Sequence, residues 1–151
     1  MIFHIITNFT ELGGAESALT RIINSTPNER VILVTLMSAN DEMKRGIKHT
    51  NFGLIALGAK GPISMLFTAI KLAVLLRTNK PVKVYSWMYH ANAISALASL
   101  LILKKIPLVW GVRHSLDDFH GEKKSTKIAI RLGRLLKFLP YTVIYCSQKA
   151  Q

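Results

Sequence analysis

Gly13 and Gly14 are the first residues whose types and spacing suit a chemical role. They stand where an apolar, β-branched run over residues 1–7 gives way to apolar residues at helical spacing. Glycine permits a tight turn and close approach to the main chain, and the free N–H groups at a helix N-terminus attract anions. The pair therefore predicts a phosphate site, and the alternative that this is a turn needing glycine stays open.

Two later loops carry histidine and other polar side chains. Tyr89, His90 and Asn92 follow one predicted strand, and Arg113 and His114 follow the next. Histidine exchanges a proton near neutral pH, and arginine grips phosphate or carboxylate in a fork. Beside a glycine loop, these side chains suit a phosphorylated or polyhydroxy ligand. A lone histidine is as readily solvated or a helix cap, so that interpretation stays open for both histidines.

Metal binding and nucleophilic catalysis are less well supported by the sequence. His114, Asp117, Asp118 and His120 lie close together, but their spacing fits no zinc motif. A glycine-flanked serine elbow is absent, which argues against a nucleophilic triad. The single cysteine, Cys146, excludes an internal disulfide and is expected to pack at the end of a strand.

Elements of alternating type must position these residues. Apolar runs predict strands over 1–7, 30–37, 51–57, 82–87, 107–112 and 141–146. Helical spacing follows the glycine pair and recurs over 63–77, 89–104 and 123–139, whereas 38–50 is either a short helix or a loop. This alternation predicts an α/β, Rossmann-like, mainly parallel sheet with helices on both faces. Ligands of such sheets bind at the carboxyl ends of the strands, where the glycine and histidine loops would meet.

The helix over 63–77 is apolar nearly all round, so we expect it to pack on more than one side. The longest uncharged apolar stretch, 91–103, is too short to span a membrane and predicts a buried helix.

The N-terminus lacks the basic and then apolar pattern of a signal peptide, so we expect a cytoplasmic protein.

Composition favours one folded domain with anionic partners. Half of the 151 residues are hydrophobic and 19% are charged, and 20 basic against 8 acidic residues give a net charge of +12. Such a charge favours phosphates, anionic lipid or nucleic acid. One amphipathic helix gathers five cations that would suit an anionic membrane: Lys123, Lys124, Lys127, Arg131 and Arg134. The ordinary alternative is that its apolar face packs on the sheet while the charges face water.

Three segments together resemble the N-terminal half of family 4 glycosyltransferases, which have the GT-B fold. They are Leu-Gly-Gly-Ala-Glu (12–16), Tyr-Ser-Trp-Met-Tyr-His-Ala-Asn (85–92) and Pro-Leu-Val-Trp-Gly-Val-Arg-His-Ser (107–115), in the family's order and spacing. The resemblance implies that residues 1–151 are a single Rossmann-like, acceptor-binding N-terminal domain. It also implies that the chain is truncated and that the C-terminal, donor-binding domain is absent.

The resemblance further implies an enzyme that moves a sugar from a nucleotide-diphosphate sugar to an acceptor with retention. The acceptor would be a cell-envelope or capsular polysaccharide, or a lipid-linked glycan, at the cytoplasmic face of a membrane. Gly13 and Gly14 would support the donor phosphates, and Arg113 and His114 would lie nearest the reacting sugar. Three residues would shape the acceptor pocket: Tyr89, His90 and Asn92.

Such enzymes usually need no metal or other cofactor, and nucleic acid is not an expected partner. Alone, the chain is expected to be inactive, because half of the electrostatic stabilisation of the leaving diphosphate would be missing. One alternative is a dinucleotide enzyme, but the three-glycine fingerprint is absent and Met37-Ser38 stands where an acidic residue would close the second strand. The other is a non-catalytic module that binds an anionic membrane or polymer through charge.

Overall fold

A computed structural model describes residues 1–102, 106–112 and 124–145. In these ranges the predicted alternation of strands and helices is confirmed. The strands are β1 (Ile2–Ile6), β2 (Val31–Thr35), β3 (Phe52–Ala56), β4 (Lys83–Trp87), β5 (Leu108–Val112) and β6 (Thr142–Tyr145). The helices are α1 (Gly14–Asn24), α2 (Asp41–Arg45), α3 (Pro62–Asn79), α4 (Met88–Ile102) and α5 (Lys124–Leu135).

The six strands form one sheet in the order β3-β2-β1-β4-β5-β6, and every pairing is parallel. This is an α/β, Rossmann-like architecture. The last residue of β1, Ile6, pairs with Thr35 of β2 on one side and with Trp87 of β4 on the other. Because the strand order reverses between β1 and β4, the chain leaves these neighbours in opposite directions. A crevice at their carboxyl ends is the usual result.

Side chains alternate across β1, and both of its faces are buried. Phe3 and Ile5 belong to a core that includes Leu72 of α3 and Ile94 of α4. Ile6 belongs to a second core, which α1 covers with residues such as Leu19. Full burial of each such side chain stabilises the fold by about 1.5–3 kcal/mol. The central strand is therefore held rigidly from both sides.

The helix α4 is the most buried helix of the described residues, as the uncharged stretch predicts. It lies between α3 and α5 and contacts both of them. Its buried side chains are small and occupy several sides of the helix: Ala91, Asn92, Ala93, Ile94, Ser95, Ala96 and Ala98. Small side chains let the neighbouring helices and the sheet approach α4 closely. No helix of the described residues is both long and apolar enough to cross one.

Two expectations about helices are wrong. The helix α3 does not pack on more than one side. It buries a face containing Leu72 and Leu76 and leaves its opposite face exposed. The helix α5 ends at Leu135, four residues before the predicted end. The Leu136 N–H then donates to the carbonyls of both Leu132 and Gly133. Pro140 disfavours helical backbone at the residue before it.

The expected apolar face of α5 is also only partly buried. Ala129 and Ile130 are buried, and so is Leu136 just after the helix. Ile128 and Leu135 are exposed, beside Arg131 and Arg134. The outer surface of α5 is therefore a mixture of cations and large apolar side chains, not a purely charged face.

Candidate functional site

The loop after β1 is fixed to the loop after β2 by side-chain hydrogen bonds. Asn8 Oδ1 accepts from Ser38 Oγ at 2.9 Å, and Asn8 Nδ2 donates to Thr10 Oγ1 at 2.8 Å. Asn40 Nδ2 donates to the Thr10 carbonyl at 2.9 Å. The sequence analysis did not single out these residues. Asn40 also caps α2 by accepting from the Met43 N–H, and Asn followed by acidic residues is the signal that could have located it.

The glycine pair begins α1 at this rim. Gly13 is the N-cap, no side chain caps the helix, and both glycines are exposed. A Cβ built on Gly14 would meet nothing within 4 Å, so there is open space beside the first turn of α1. A pocket of about 300 Å³ adjoins them, lined by Asn8, Thr10, Glu11, Leu12, Gly13 and Glu16. Uncapped amides and the positive end of the helix dipole can hold a small anion there.

Glu16 already brings a negative charge to the same place. A Cβ built on Gly13 would lie 2.5 Å from Glu16 Oε2, so the carboxylate folds back against the N-cap. A carboxylate in the first turn is stabilised by the helix dipole. A phosphate at these amides therefore requires the Glu16 side chain to turn away. The glycine motif contains Glu16, but the sequence analysis did not predict that its carboxylate would compete with a phosphate.

The junction of β4 and α4 forms the other wall of the crevice. Trp87 ends the strand, Met88 begins the helix directly, and Met88 has a φ of 72°. A left-handed backbone at a residue other than glycine is uncommon and strained, so the surrounding packing must enforce it. Tyr89 and His90 follow in the first turn of α4 and are half-buried. These two predicted residues therefore follow the strand next to β1, at the same edge of the sheet as the glycine pair.

Asn92 occupies a different environment. Its side chain is 3% exposed, and its Oδ1 accepts a 2.7 Å hydrogen bond from Ser86 Oγ in β4. The bond ties the first turn of α4 to the sheet. In this structure Asn92 therefore holds Tyr89 and His90 in position, and its side chain does not face solvent.

Other predicted residues lie outside the described ranges. They include Arg113 and His114, the Asp117, Asp118 and His120 cluster, Lys123, and Cys146. Within the described residues, no three His, Cys, Asp or Glu side chains group closely enough to hold a metal ion. Arg113 and His114 directly follow β5, whose Gly111 pairs with Trp87.

Neither a protein-family model nor a curated protein matches the sequence. Solved structures do match the fold. The Anabaena protein Alr3699/HepE in complex with UDP superposes with a TM-score of 0.71 at 18% identity, over 99% of this chain and 39% of that one. Its complex with UDP and glucose gives a TM-score of 0.70 at 16% identity, over 98% and 39%.

Two further structures come from other bacteria. UDP-N-acetylglucosamine 2-epimerase from Rickettsia bellii has a TM-score of 0.65 at 16% identity, over 99% of this chain and 40% of that one. MurG from Acinetobacter baumannii has a TM-score of 0.62 at 13% identity, over 94% and 40%. The fold is that of one half of a GT-B enzyme. The chain spans about 40% of the length of the structures it matches. Membership of family 4 in particular stays a prediction.

A buried histidine supports the end of β4 from within the sheet. His4 is 3% exposed, stacks on Tyr85 at a ring distance of 5.1 Å, and accepts a 3.1 Å hydrogen bond at Nδ1 from Trp87 Nε1. Burial lowers the pKa of His4 from 6.5 to about 4, so its ring is neutral near pH 7. His4 is a polar residue inside an apolar strand, which could have indicated this role, but the sequence analysis did not single it out.

Proposed function

We propose that this chain is the acceptor-side half of a GT-B glycosyltransferase. The whole enzyme would transfer a sugar from a nucleotide-diphosphate sugar to a glycan or lipid-linked acceptor, with retention. One observation carries the proposal: an uncapped glycine helix start follows β1, whose last residue Ile6 pairs with Trp87 just before Tyr89 and His90. A protein of matching fold was crystallised with UDP and glucose, which supports it. Residues 1–151 would act as a single domain, at the cytoplasmic face of a membrane.

On the donor side, Gly13 and Gly14 would give main-chain N–H groups to the diphosphate. These donors are fixed before the reaction, so they stabilise the charge that develops on the leaving group without reorganising. Glu16 would turn outward as the phosphate enters. The matched structures extend well beyond the region that this chain covers, and we expect further donor contacts from such a region. This half alone should therefore bind the donor weakly and not catalyse transfer.

On the acceptor side, Tyr89 and His90 would bind sugar hydroxyls. Both lie in the first turn of α4, which the Ser86–Asn92 hydrogen bond ties to β4. Asn92, predicted as an acceptor ligand, would contribute by holding this turn. Arg113 and His114 would lie beside the sugar being moved. There the guanidinium would stabilise negative charge that develops on the leaving diphosphate, and the imidazole would exchange a proton. The proposed reaction needs no metal or other cofactor.

UDP binding to the glycine loop is the direct test, measured by heteronuclear NMR titration of the chain. Gly14→Val places a side chain in the open space beside the first turn of α1 and should weaken UDP binding at least about tenfold, a loss of about 1.4 kcal/mol. Gly61→Val is the matched control, because Gly61 is the N-cap of α3 and a Cβ there also meets open space. Undiminished UDP affinity in Gly14→Val would contradict the donor-site assignment.

Transfer itself is tested in a two-domain enzyme that contains this half. His114→Ala should lower the transfer rate by about 10²–10⁴-fold if the imidazole assists proton movement at the reacting sugar. His49→Ala serves as the control, because His49 bonds to the Thr26 carbonyl at 2.8 Å, between the end of α1 and the start of β3, at the edge of the sheet opposite the proposed site. Full activity of His114→Ala would remove His114 from the mechanism.

A second candidate is another nucleotide-sugar enzyme, and the fold match to a UDP-N-acetylglucosamine 2-epimerase favours it. An epimerase changes its substrate without an acceptor, whereas a transferase releases UDP only when an acceptor is present. Incubating the two-domain enzyme with UDP-sugars in the presence and absence of acceptor separates the two. A non-catalytic module that binds through charge would show neither reaction, and its anion binding would vanish at moderate salt.

We further propose that the enzyme contacts an anionic membrane through α5. Arg131 and Arg134 are exposed on this helix, and Lys127 is half-buried. Lys123 and Lys124 precede them in sequence. Each cation near the surface would contribute about 1 kcal/mol to attraction by anionic lipid. A membrane contact is consistent with a lipid-linked acceptor.

A further inference from the structure

The outer face of α3 carries a row of large apolar side chains, here called the α3 stripe. Their exposed fractions range from 53% to 74%, and they are Ile63, Leu66, Phe67, Ile70 and Val74. The spacing of three, four and seven residues places them on one side of the helix. That side is opposite the buried residues Leu72 and Leu76. The stripe is about 16 Å long at 1.5 Å per residue.

Such a stripe is unusual on a protein surface in water. Isolated exposed apolar side chains are common, but a contiguous row marks a surface that another molecule covers. Among the described residues, no element packs on this side of α3, because the helix contacts α4 with its buried face. The stripe is therefore a docking surface, and its surroundings indicate what docks.

Charge is segregated between the two faces of the sheet. The sequence has no Asp or Glu between Met43 and Leu116, so α3 and α4 carry no carboxylate, and neither does α5. The acidic residues of the described ranges lie near α1 and α2: Glu11, Glu16, Glu29, Asp41 and Glu42. Cations flank the stripe instead, with Lys60 before α3, Lys71 and Arg77 on it, and Lys80 at its end. Among the described residues, the charged side chains of α3, α4 and α5 are therefore all cationic.

The outer surface of α5 has the same character. Ile128 and Leu135 are exposed there beside Arg131 and Arg134. The buried helix α4 lies between α3 and α5, so one three-helix layer presents both surfaces. Aliphatic side chains between cations match the boundary of an anionic bilayer, where acyl chains lie beneath charged headgroups.

We propose that the α3 stripe inserts into the interface of an anionic lipid bilayer. The charge pattern argues against a second copy of the chain as the occupant, since pairing two stripes would bring surfaces of the same sign together. A bilayer supplies both the apolar phase and the opposite charge.

The orientation of α3 ties this surface to the crevice. The strands are parallel, and α3 begins at Pro62 just after the carboxyl end of β3, so Ile63, Leu66 and Phe67 lie at the same edge of the sheet as the crevice. Insertion there brings the crevice near the bilayer surface. The inference thereby deepens the proposed function, on which this last step rests: the acceptor would be lipid-linked and reached from the membrane, not a free polysaccharide.

Vesicle co-sedimentation of the chain tests the α3 stripe, using phosphatidylcholine vesicles with and without 30% phosphatidylglycerol. Ile63→Ser with Phe67→Ser changes two exposed side chains and should weaken binding to the anionic vesicles at least tenfold. Val82→Ser is the matched control, because Val82 is 66% exposed but precedes β4 at the opposite edge of the sheet, and it should bind as the wild type does. Wild-type binding should persist in part at 0.5 M NaCl, since insertion is not screened.

Three results would overturn the inference. They are equal vesicle binding by the double variant and the wild type, absence of wild-type binding, or a wild-type dimer in analytical ultracentrifugation that the double variant abolishes. In the first case, loss of binding in Arg131→Glu with Arg134→Glu would assign the contact to α5 alone. UDP affinity, measured on the same variants, should not change. A wild-type chain that binds vesicles but not UDP would refute the donor-site proposal and leave the stripe standing.

Discussion

Trp87 Nε1 donates a 3.1 Å hydrogen bond to Nδ1 of His4, between the neighbouring strands β4 and β1. The two residues are not register partners, because His4 pairs with Tyr85 and Trp87 pairs with Ile6. The bond therefore runs diagonally across the sheet face that α1 partly covers. It fixes the last residue of β4, immediately before the turn that carries Tyr89 and His90. His4 is thus a positioning residue for one wall of the crevice.

Stability should fall as the pH falls from about 6.5 to about 4, in part because of His4. Burial lowers its folded-state pKa to about 4, so the unfolded chain binds more protons than the folded chain in this interval. The shift corresponds to as much as about 3 kcal/mol of unfolding free energy at the acid end. Urea unfolding at pH 4.5 and pH 7.5 measures the change.

His4→Gln is the control for this pH effect. Glutamine keeps an acceptor for Trp87 Nε1 but does not titrate. The variant should be less stable than the wild type at pH 7.5, because the stacking on Tyr85 is lost, and it should lose less stability on acidification. An identical pH dependence in both proteins would show that His4 protonation is not involved.

Lys80→Gly should stabilise the protein by about 0.5–1 kcal/mol. Lys80 ends α3 in the left-handed region with a φ of 47°, and its N–H bonds to the Leu76 carbonyl. Glycine adopts this conformation without the steric cost that a side chain brings. Chemical denaturation measures the gain. Lys80→Ala separates backbone from charge, since it removes the cation but keeps the strain, and an equal gain there would contradict the backbone explanation.

Ser86→Ala should destabilise the fold by about 1–3 kcal/mol. It leaves the buried Asn92 Oδ1 without its donor, and an unsatisfied buried acceptor bears its full desolvation cost. Ser95→Ala is the control, because Ser95 is equally buried but donates only to the Ala91 carbonyl of its own helix. A double-mutant cycle with Asn92→Ala should show coupling between residues 86 and 92. Additive losses would mean that the pair does not act together.

Glu16→Gln should tighten UDP binding several-fold while costing about 0.3–1 kcal/mol of stability. The carboxylate lies against the N-cap of α1, so its charge both stabilises the helix start and opposes an incoming phosphate. Isothermal titration and denaturation on the same protein measure the two effects. Glu29→Gln, in the exposed turn before β2, should change neither. Unchanged UDP affinity in Glu16→Gln would mean that the phosphates bind elsewhere.

The order and type of the elements could be predicted because the spacing of apolar residues that distinguishes a strand from a helix is a local property of the sequence. The β-branched runs that end near Thr35 and Trp87 located strands to within two residues, and the uncharged stretch 91–103 predicted a buried helix. Which face of an apolar helix stays exposed depends, however, on the elements that pack against it. The exposure of Ile63 and Phe67 therefore could not be predicted from an apolar sequence.

The site was predicted in part for the same reason. Glycines at a strand–helix transition and polar residues after two strands mark the carboxyl edge, and Gly13, Gly14, Tyr89 and His90 do follow neighbouring strands at that edge. Their roles in a site stay predictions. The partner of Asn92 is six residues away on another element, and Glu16 turns back onto its own helix start. Such side-chain directions depend on packing and electrostatics that spacing does not encode.

The direct passage from β4 into α4 makes the two walls of the crevice mechanically unequal. Because β4 ends at Trp87 and α4 begins at Met88, no loop separates the strand from the helix. We therefore expect Tyr89 and His90 to move with the sheet. Residues 7–13, in contrast, form a connection whose side-chain tethers can open and close again. If a ligand binds at this edge as proposed, we expect the glycine loop to adapt its shape and the start of α4 to keep its position.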